Sequence, residues 1–213
     1  MKATYIDSMG NDLAVVNAAR VSFNKHKETF GPEDEKLLRY LAKHGHWSPF
    51  AHAVVKFHFK APIFVARQLV KHQVGMVWNE VSRRYVHTAP ELYWPRSWRK
   101  AAENVKQGSS DEEYSSYLQS AEDLCDELIY EYNYLVNSGL CPEQARMILP
   151  QNTYTEWIWT GSVYAWARVF NQRTDPTAQK ETQDLIKQID KPMGIYFPVS
   201  WKVLTKEYDE NSC

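Results

Sequence analysis

The chain has 213 residues, with 25 Lys/Arg, 26 Asp/Glu and a formal net charge of −1; 44% of it is hydrophobic and 24% charged. These proportions belong to a soluble globular chain long enough for one sizeable core. The balanced charge argues against a general polyanion binder, and a mean hydropathy of −0.55 without a long apolar run argues against a spanning helix. Neither nucleic acid nor membrane is therefore an expected partner.

In chain order, residues 1–10 carry Asp7 and no apolar run, so no secretory leader is expected. Residues 12–22 read as a helix with Leu13, Val16, Ala19 and Phe23 on its apolar side. Pro32 followed by Glu33, Asp34 and Glu35 opens a second helix, running to about His44 with Gly45 as its stop. A turn over 46–50 leads to a strand over 53–60, where Val55, Phe57 and Phe59 alternate with Lys56, His58 and Lys60. Pro62 opens a helix over 63–72, and Gly75 breaks the chain before a polar segment at 79–86. Residues 87–110 hold Pro90, Pro95 and Gly108 and read as a surface loop anchored by Tyr93, Trp94 and Trp98. A long apolar stripe over 114–136 predicts a helix ended by Gly139. A short helix starts at Pro142 and stops by Pro150; 153–159 is β-type; 162–173 and 176–189 are helical. The expected fold is α+β and mostly helical, with a small antiparallel or mixed sheet, in one domain over 1–213.

Aromatic residues make up 14%, including eight Trp and thirteen Tyr, whereas Gly numbers only eight. The aromatics serve either as core and oligomer interface or as flat walls for a flat ligand. The eight glycines are isolated, so neither a G-x-G-x-x-G turn nor a P-loop can be built. Three cysteines, Cys125, Cys141 and Cys213, have no metal spacing and no C-x-x-C. Their odd number without a leader fits a reducing compartment, the cytoplasm or, for a viral protein, the host cytoplasm.

Charge is uneven. Residues 61–100 hold seven basic and two acidic residues, a local +5, whereas 101–138 hold one Lys and nine acids. The basic stretch is where an anionic ligand would bind, and the acidic one reads as a solvated helix face. Within the basic stretch, Arg67 and Lys71 share one helix edge and Gln68 and His72 the next. That edge is either a solvated rim or a ligand site. Asn79, Glu80, Ser82, Arg83, Arg84 and Tyr85 then offer an amide, a carboxylate, a hydroxyl, two guanidiniums and a phenol. Arg forks suit phosphate.

The run Arg67-Gln68-x-x-Lys71-His72-Gln73, followed by Asn79-Glu80-x-Ser82-x-Arg84-Tyr85, resembles the signature of the flavin-dependent thymidylate synthases, the ThyX family. Three further stretches agree in order. They are Asn17 to Ser22, His46-x-Ser48-Pro49-Phe50-x-His52, and Glu143 to Thr155 together with Arg173-x-Asp175-x-x-Ala178-Gln179-x-Glu181. The resemblance implies a homotetramer with active sites shared between subunits. It implies conversion of dUMP to dTMP, with methylenetetrahydrofolate as carbon donor and FAD as redox carrier, reduced by NADPH. Carried over by position, His52, Val54, Lys71, His72, Gln73, Glu80 and Arg168 are the expected FAD contacts. Gln68, Lys71, Glu80, Val81, Ser82, Arg83, Arg84, Arg146 and Arg173 are the expected dUMP contacts.

The implied chemistry uses no cysteine nucleophile. A guanidinium at the position of Arg173 activates uracil by stabilising its ionised form, and Ser82 serves as a phosphate ligand. The family's Arg-His-Arg is Lys71-His72-Gln73 here, Ala51 stands in place of a Glu, and Arg83 in place of a Gly. A stretch that is often N-x-R reads Ser162-Val163-Tyr164, and the spacer to Ser82 is one residue longer. Arg83 or Arg168 is expected to restore the charge missing at Gln73. Trp47, Trp78, Tyr85 and the Trp94 to Trp98 loop are the expected flat walls. Rival readings are a flavin-dependent pyrimidine-nucleotide methylase or hydroxymethylase on the same scaffold, and a non-catalytic flavin or nucleotide binder.

Overall fold

A computed structural model describes residues 1–86, 88–103, 108–114 and 118–205. Strand β1 is Lys2–Met9. The Asn11 side chain accepts the Ala14 N–H and caps helix α1, Asp12–Arg20. The chain then tightens into a 3-10 turn, Val21–Phe23. This breaks the helical period and corrects the expected apolar face: Val15 and Val16 are buried, and Phe23 is 76% exposed. Helix α2, Pro32–Lys43, has Pro in its first turn. The Asp34 carboxylate accepts the Gly31 N–H and is clamped by Arg20 at 2.8 Å and Lys27 at 2.6 Å.

Strand β2 is Val54–Pro62 and helix α3 is Ile63–Leu69. The helix stops short of the expected His72 because the chain must reverse into strand β3, Met76–Glu80, which the sequence reading did not separate from the polar segment. Gly75 makes the reversal at φ +76°, and a Cβ there would lie 3.2 Å from the Ala165 Cβ. Strands β4, Arg99–Ala101, and β5, Ser109–Glu113, pair as a ribbon inside and just past the stretch expected to be loop. Helix α4, Gln119–Asn137, begins five residues later than expected. The expected apolar position Tyr117 lies outside the described residues.

Helix α5, Pro142–Ala145, leads through a 3-10 turn to strand β6, Tyr154–Ser162. The Ser162 hydroxyl accepts the Ala165 N–H and caps helix α6, Val163–Arg173. The helix expected over 176–189 is shorter. Asp175 accepts the Thr177 N–H and forms a turn, so helix α7 is Lys180–Ile186, followed by a 3-10 turn. Helices α8, Asp190–Tyr196, and α9, Pro198–Thr205, complete the order. No helix among the described residues is long and apolar enough to cross a membrane.

The main sheet has the order β1-β2-β6-β3 and is antiparallel throughout. Val55, Phe57 and Phe59 of β2 are all buried, as the alternation requires. Phe57 faces Trp159 and Phe59 faces Trp157 across the β2–β6 pair. Trp166 of α6 seals this layer. Its ring lies 5.0 Å from Phe57 and 4.9 Å from Trp159, and its Nε1 donates to the Val55 carbonyl at 3.0 Å. Each such buried ring contributes on the order of 1.5–3 kcal/mol. Trp157, Trp159, Trp166 and Trp201 are all buried, so half of the eight tryptophans build core. Gly161 lets β3 cross close by, because a Cβ there would collide with the Met76 sulfur. This seats β3 on β6 and carries the chain on to Glu80. Helices α1, α2, α6 and α9 pack together. Asp12 at the start of α1 accepts the Val199 and Ser200 N–H groups of α9.

Candidate active site

Lys71, His72 and Gln73 fall in the turn after α3. Arg168 and Arg173 project from the last two turns of α6. All five line one cavity of ≈ 240 Å³, together with Gln172 and apolar residues that include Met76 and Ala165; among the described residues its lining contains no Asp or Glu. Arg173 Nε donates to His72 Nε2 at 2.7 Å, and Nη2 donates to the Gln68 carbonyl at 3.2 Å. Burial, and then the nearby Arg173 and Arg168 charges, lower the His72 pKa to about 4. At neutral pH the imidazole is therefore uncharged and free to accept from Arg173. Burial also draws the Arg173 pKa below its ordinary value.

The Gln68 side chain bridges α3 to the α7 region. Its amide nitrogen donates to the Gln179 side chain and its amide oxygen accepts from Thr182 at 3.2 Å, both in the α7 region. Its main-chain carbonyl is what meets Arg173.

Glu80, Val81, Arg83 and Arg146 line a second cavity of ≈ 550 Å³, flanked by the Lys60–Glu91 ion pair. The Glu80 carboxylate accepts from Thr155 Oγ1 at 2.7 Å and from Trp78 Nε1 at 3.1 Å. The Val81 N–H donates to the Glu156 carbonyl at 2.8 Å, which extends the β3–β6 register past Glu80. Ser82 opens a turn, and its hydroxyl oxygen accepts the Arg84 N–H at 3.3 Å. Arg84 pairs with Glu143 at 2.9 Å and lies 5.4 Å from the centre of the Tyr85 ring.

The two cavities share no lining residue. His52 and Val54 line neither: His52 is exposed at the end of a 3-10 turn, and Val54 starts β2 opposite Ser162. The two candidates for restoring charge at Gln73 separate here. Arg168 lines the same cavity as Gln73, whereas Arg83 lines the other and donates to the Thr88 carbonyl. Among the expected flat walls, Trp78 stacks on Trp157 at 4.4 Å, Tyr85 is 71% exposed, and Trp47 lies 5.9 Å from Tyr164. Trp94 and Trp98 line neither of these cavities.

Burial pushes the Cys125 thiol pKa up, which keeps it protonated. Cys141 is exposed at the start of α5, and Cys213 lies outside the described residues. Sequence reasoning missed Thr155 and Trp78 as the groups that hold Glu80, although both lie in or beside its motifs. It also missed Arg99, whose partner is the buried Glu181, 82 residues away, at 2.7 Å. No local pattern in the sequence signals that pair.

The pocket at the C-terminal end of α6 thus joins several cations to an arginine fixed by an uncharged histidine. Residues 4–199 match the sequence family described as thymidylate synthase complementing protein. The chain belongs to that family, the flavin-dependent thymidylate synthases. It is 40% identical over 200 residues to the flavin-dependent thymidylate synthase of Thermus thermophilus, covering 92% of this chain and 72% of that protein. It is 38% identical over 202 residues to that of Kosmotoga olearia, covering 92% and 86%. The fold of the family is also seen in a UMP/dUMP methylase, PolB from Streptomyces cacaoi, bound with 5-Br dUMP. The two chains superpose with a TM-score of 0.84 at 29% identity, over 95% of this chain and 93% of that one.

Proposed function

We propose that this chain is an FAD-dependent thymidylate synthase that converts dUMP to dTMP, with methylenetetrahydrofolate as carbon donor and NADPH as reductant. The observation that carries this reading is the acid-free cavity in which His72 orients Arg173. The residues present fit an anionic flavin dinucleotide. Lys71 and Arg168 supply cationic donors, Gln73 a neutral one, and among the described residues no carboxylate lines the cavity to repel phosphate. When bound, FAD supplies the hydride that completes the methyl group. Arg173, held through Nε and one Nη, directs its remaining N–H groups at developing negative charge on uracil. Ser82, Arg84 and Arg146 are read as phosphate ligands, and Glu80 and Val81 as dUMP contacts.

Two cavities without a common residue support an assembly in which one subunit's Arg173 cavity meets another's Glu80 cavity. We read the protein as a homotetramer, each chain one ThyX-like domain, in the cytoplasm. The experiment is direct. The purified protein should carry or take up flavin, dUMP should perturb the flavin spectrum, and turnover should yield dTMP. A protein that FAD cannot load overturns the reading.

The likeness to a UMP/dUMP methylase favours one second reading, a methylase that also accepts UMP. Product analysis with dUMP, UMP and dCMP separates the two and also tests a hydroxymethylase outcome.

A further inference from the structure

A third cavity, of ≈ 590 Å³, lies beside α3, α4 and the β4–β5 ribbon. It shares only Gln151 with the second cavity and nothing with the first. None of the residues matched to the family's FAD or dUMP contacts lines it. We propose that it is a separate binding site for an uncharged planar heterocycle of base or nucleoside size.

The walls are flat. Phe64 and Tyr93 stand 6.0 Å apart at 59°, and Trp94 and Trp98 stand 6.4 Å apart at 62°. Each pair packs its own two rings together at a tilt, and all four rings line the cavity, an aromatic surface that suits a flat guest. The volume lies within the ~300–1,000 Å³ typical of small-molecule pockets.

The polar groups decide the ligand's charge. Among the described residues, Arg99 is the only cation in the lining. Its Nη2 is committed to the buried Glu181 carboxylate at 2.7 Å, and its Nε to Ser109 Oγ at 2.7 Å. The other Glu181 oxygen accepts from Gln179 at 2.9 Å. The pair is thus neutralised internally, and among the described residues no free cation remains in the lining to receive a phosphate. Side-chain amides also line it at Gln151, Asn152 and Gln179; they already bond Arg67, Tyr93, Cys125, Gln68 and Glu181, and each keeps at least one amide N–H and one oxygen lone pair for a heterocycle edge. Cys125 also lines the cavity, but as a protonated thiol it offers no covalent chemistry.

The site is wired to the first cavity. Glu181 holds Gln179, Gln179 holds the Gln68 amide, and the Gln68 carbonyl holds Arg173. A ligand that moves Gln179 therefore alters the support of Arg173. This second step alone rests on the functional reading above.

Calorimetric titration of the full chain with thymidine, in the presence of saturating dUMP, tests the site. Thymidine should bind without displacing dUMP. Trp94→Ala and Trp98→Ala should each weaken thymidine by about tenfold or more while leaving dUMP affinity unchanged. Ala121→Phe, which fills the cavity from α4, should abolish thymidine binding with the native circular dichroism retained. Under the same conditions dTMP should bind at least about tenfold more weakly than thymidine, because its phosphate would meet Glu181 without a free cation. Absence of saturable thymidine binding, displacement by dUMP, or equal affinity in all three variants overturns the proposal. Since dUMP binding is measured separately, thymidine binding without dUMP binding sinks the enzymatic reading and leaves this site standing.

Discussion

Arg173 donates through Nε to Nε2 of His72 across 101 residues of sequence, at 2.7 Å. The bond fixes the imidazole proton on Nδ1 and ties the turn after α3 to the end of α6. Two residues that the family resemblance assigns to different ligands, FAD and dUMP, are thus one mechanical unit.

This bond survives only while His72 Nε2 is unprotonated, so it should fail as pH falls through about 4. The folded-state pKa is depressed below the ordinary 6.5, so the unfolded chain binds more protons between these values. The stability contributed by neutral His72 is complete above the ordinary value, declines as pH falls, and levels off below about 4. Urea unfolding across this range should show a steeper acid loss for the native chain than for His72→Gln, and an NMR titration should place the His72 midpoint near 4. A midpoint at the ordinary value would refute the depressed pKa.

Arg173→Ala should abolish dUMP-dependent turnover and leave flavin bound. Loss of a preorganised donor costs on the order of 10²–10³ in kcat. Arg173→Lys should restore little, because one ammonium cannot reproduce the guanidinium fork at both His72 and the Gln68 carbonyl. Normal turnover in Arg173→Ala would remove it from the mechanism.

Arg168→Ala should weaken flavin binding by about tenfold or more, as expected for loss of a charge-assisted contact. Arg83→Ala should not, because Arg83 lines the other cavity. Flavin titration of the two variants is the measurement, and native affinity in both would contradict the assigned compensation for Gln73.

Ser82→Ala should raise the KM for dUMP and largely preserve kcat, as expected when a ground-state phosphate contact is lost. Complete loss of turnover with intact dUMP binding would instead make the hydroxyl a participant in the chemistry.

Asp34→Ala should destabilise the chain by about 2 kcal/mol, the scale of charge-assisted bonds to a buried carboxylate. Burial pushes this carboxyl up, but hydrogen bonds from Lys27, Arg20 and the Gly31 N–H outweigh it and hold the pKa below the ordinary 3.8. The contribution is present above that value and lost as pH falls through the depressed folded pKa. Thermal unfolding of the variant against pH checks both size and sign.

Strand β2 was legible because Val55, Phe57 and Phe59 alternate with charged residues, and α2 because Pro32 precedes three acids. Strand β1 was not. It is an edge strand with a bulge between Tyr5 and Asp7 that breaks its alternation, and no turn signal frames it before Gly10. Strand β3 has only five residues and gets its place from Gly161 on β6, far along the chain. Pro192, Gly194 and Pro198 interrupt the period that would have revealed α8 and α9. At the site, motif order pointed to Lys71, His72 and Arg173. It could not reveal that Gln68 turns its amide to α7, because that depends on how two helices pack.

Trp78, Trp157, Trp159 and Trp166 lie ring to ring at 4.4 to 5.2 Å across β3, β6 and α6. At such separations the indole transitions couple into a shared excitation. The coupled part of the native ellipticity therefore reports the registry of β6 with its neighbours, over the separate contributions of Trp47, Trp94, Trp98 and Trp201. A slip of one residue along β3 would remove Trp78 from the coupled set while the helices stayed intact. The core carries its own optical strain gauge, next to the strand that delivers Glu80.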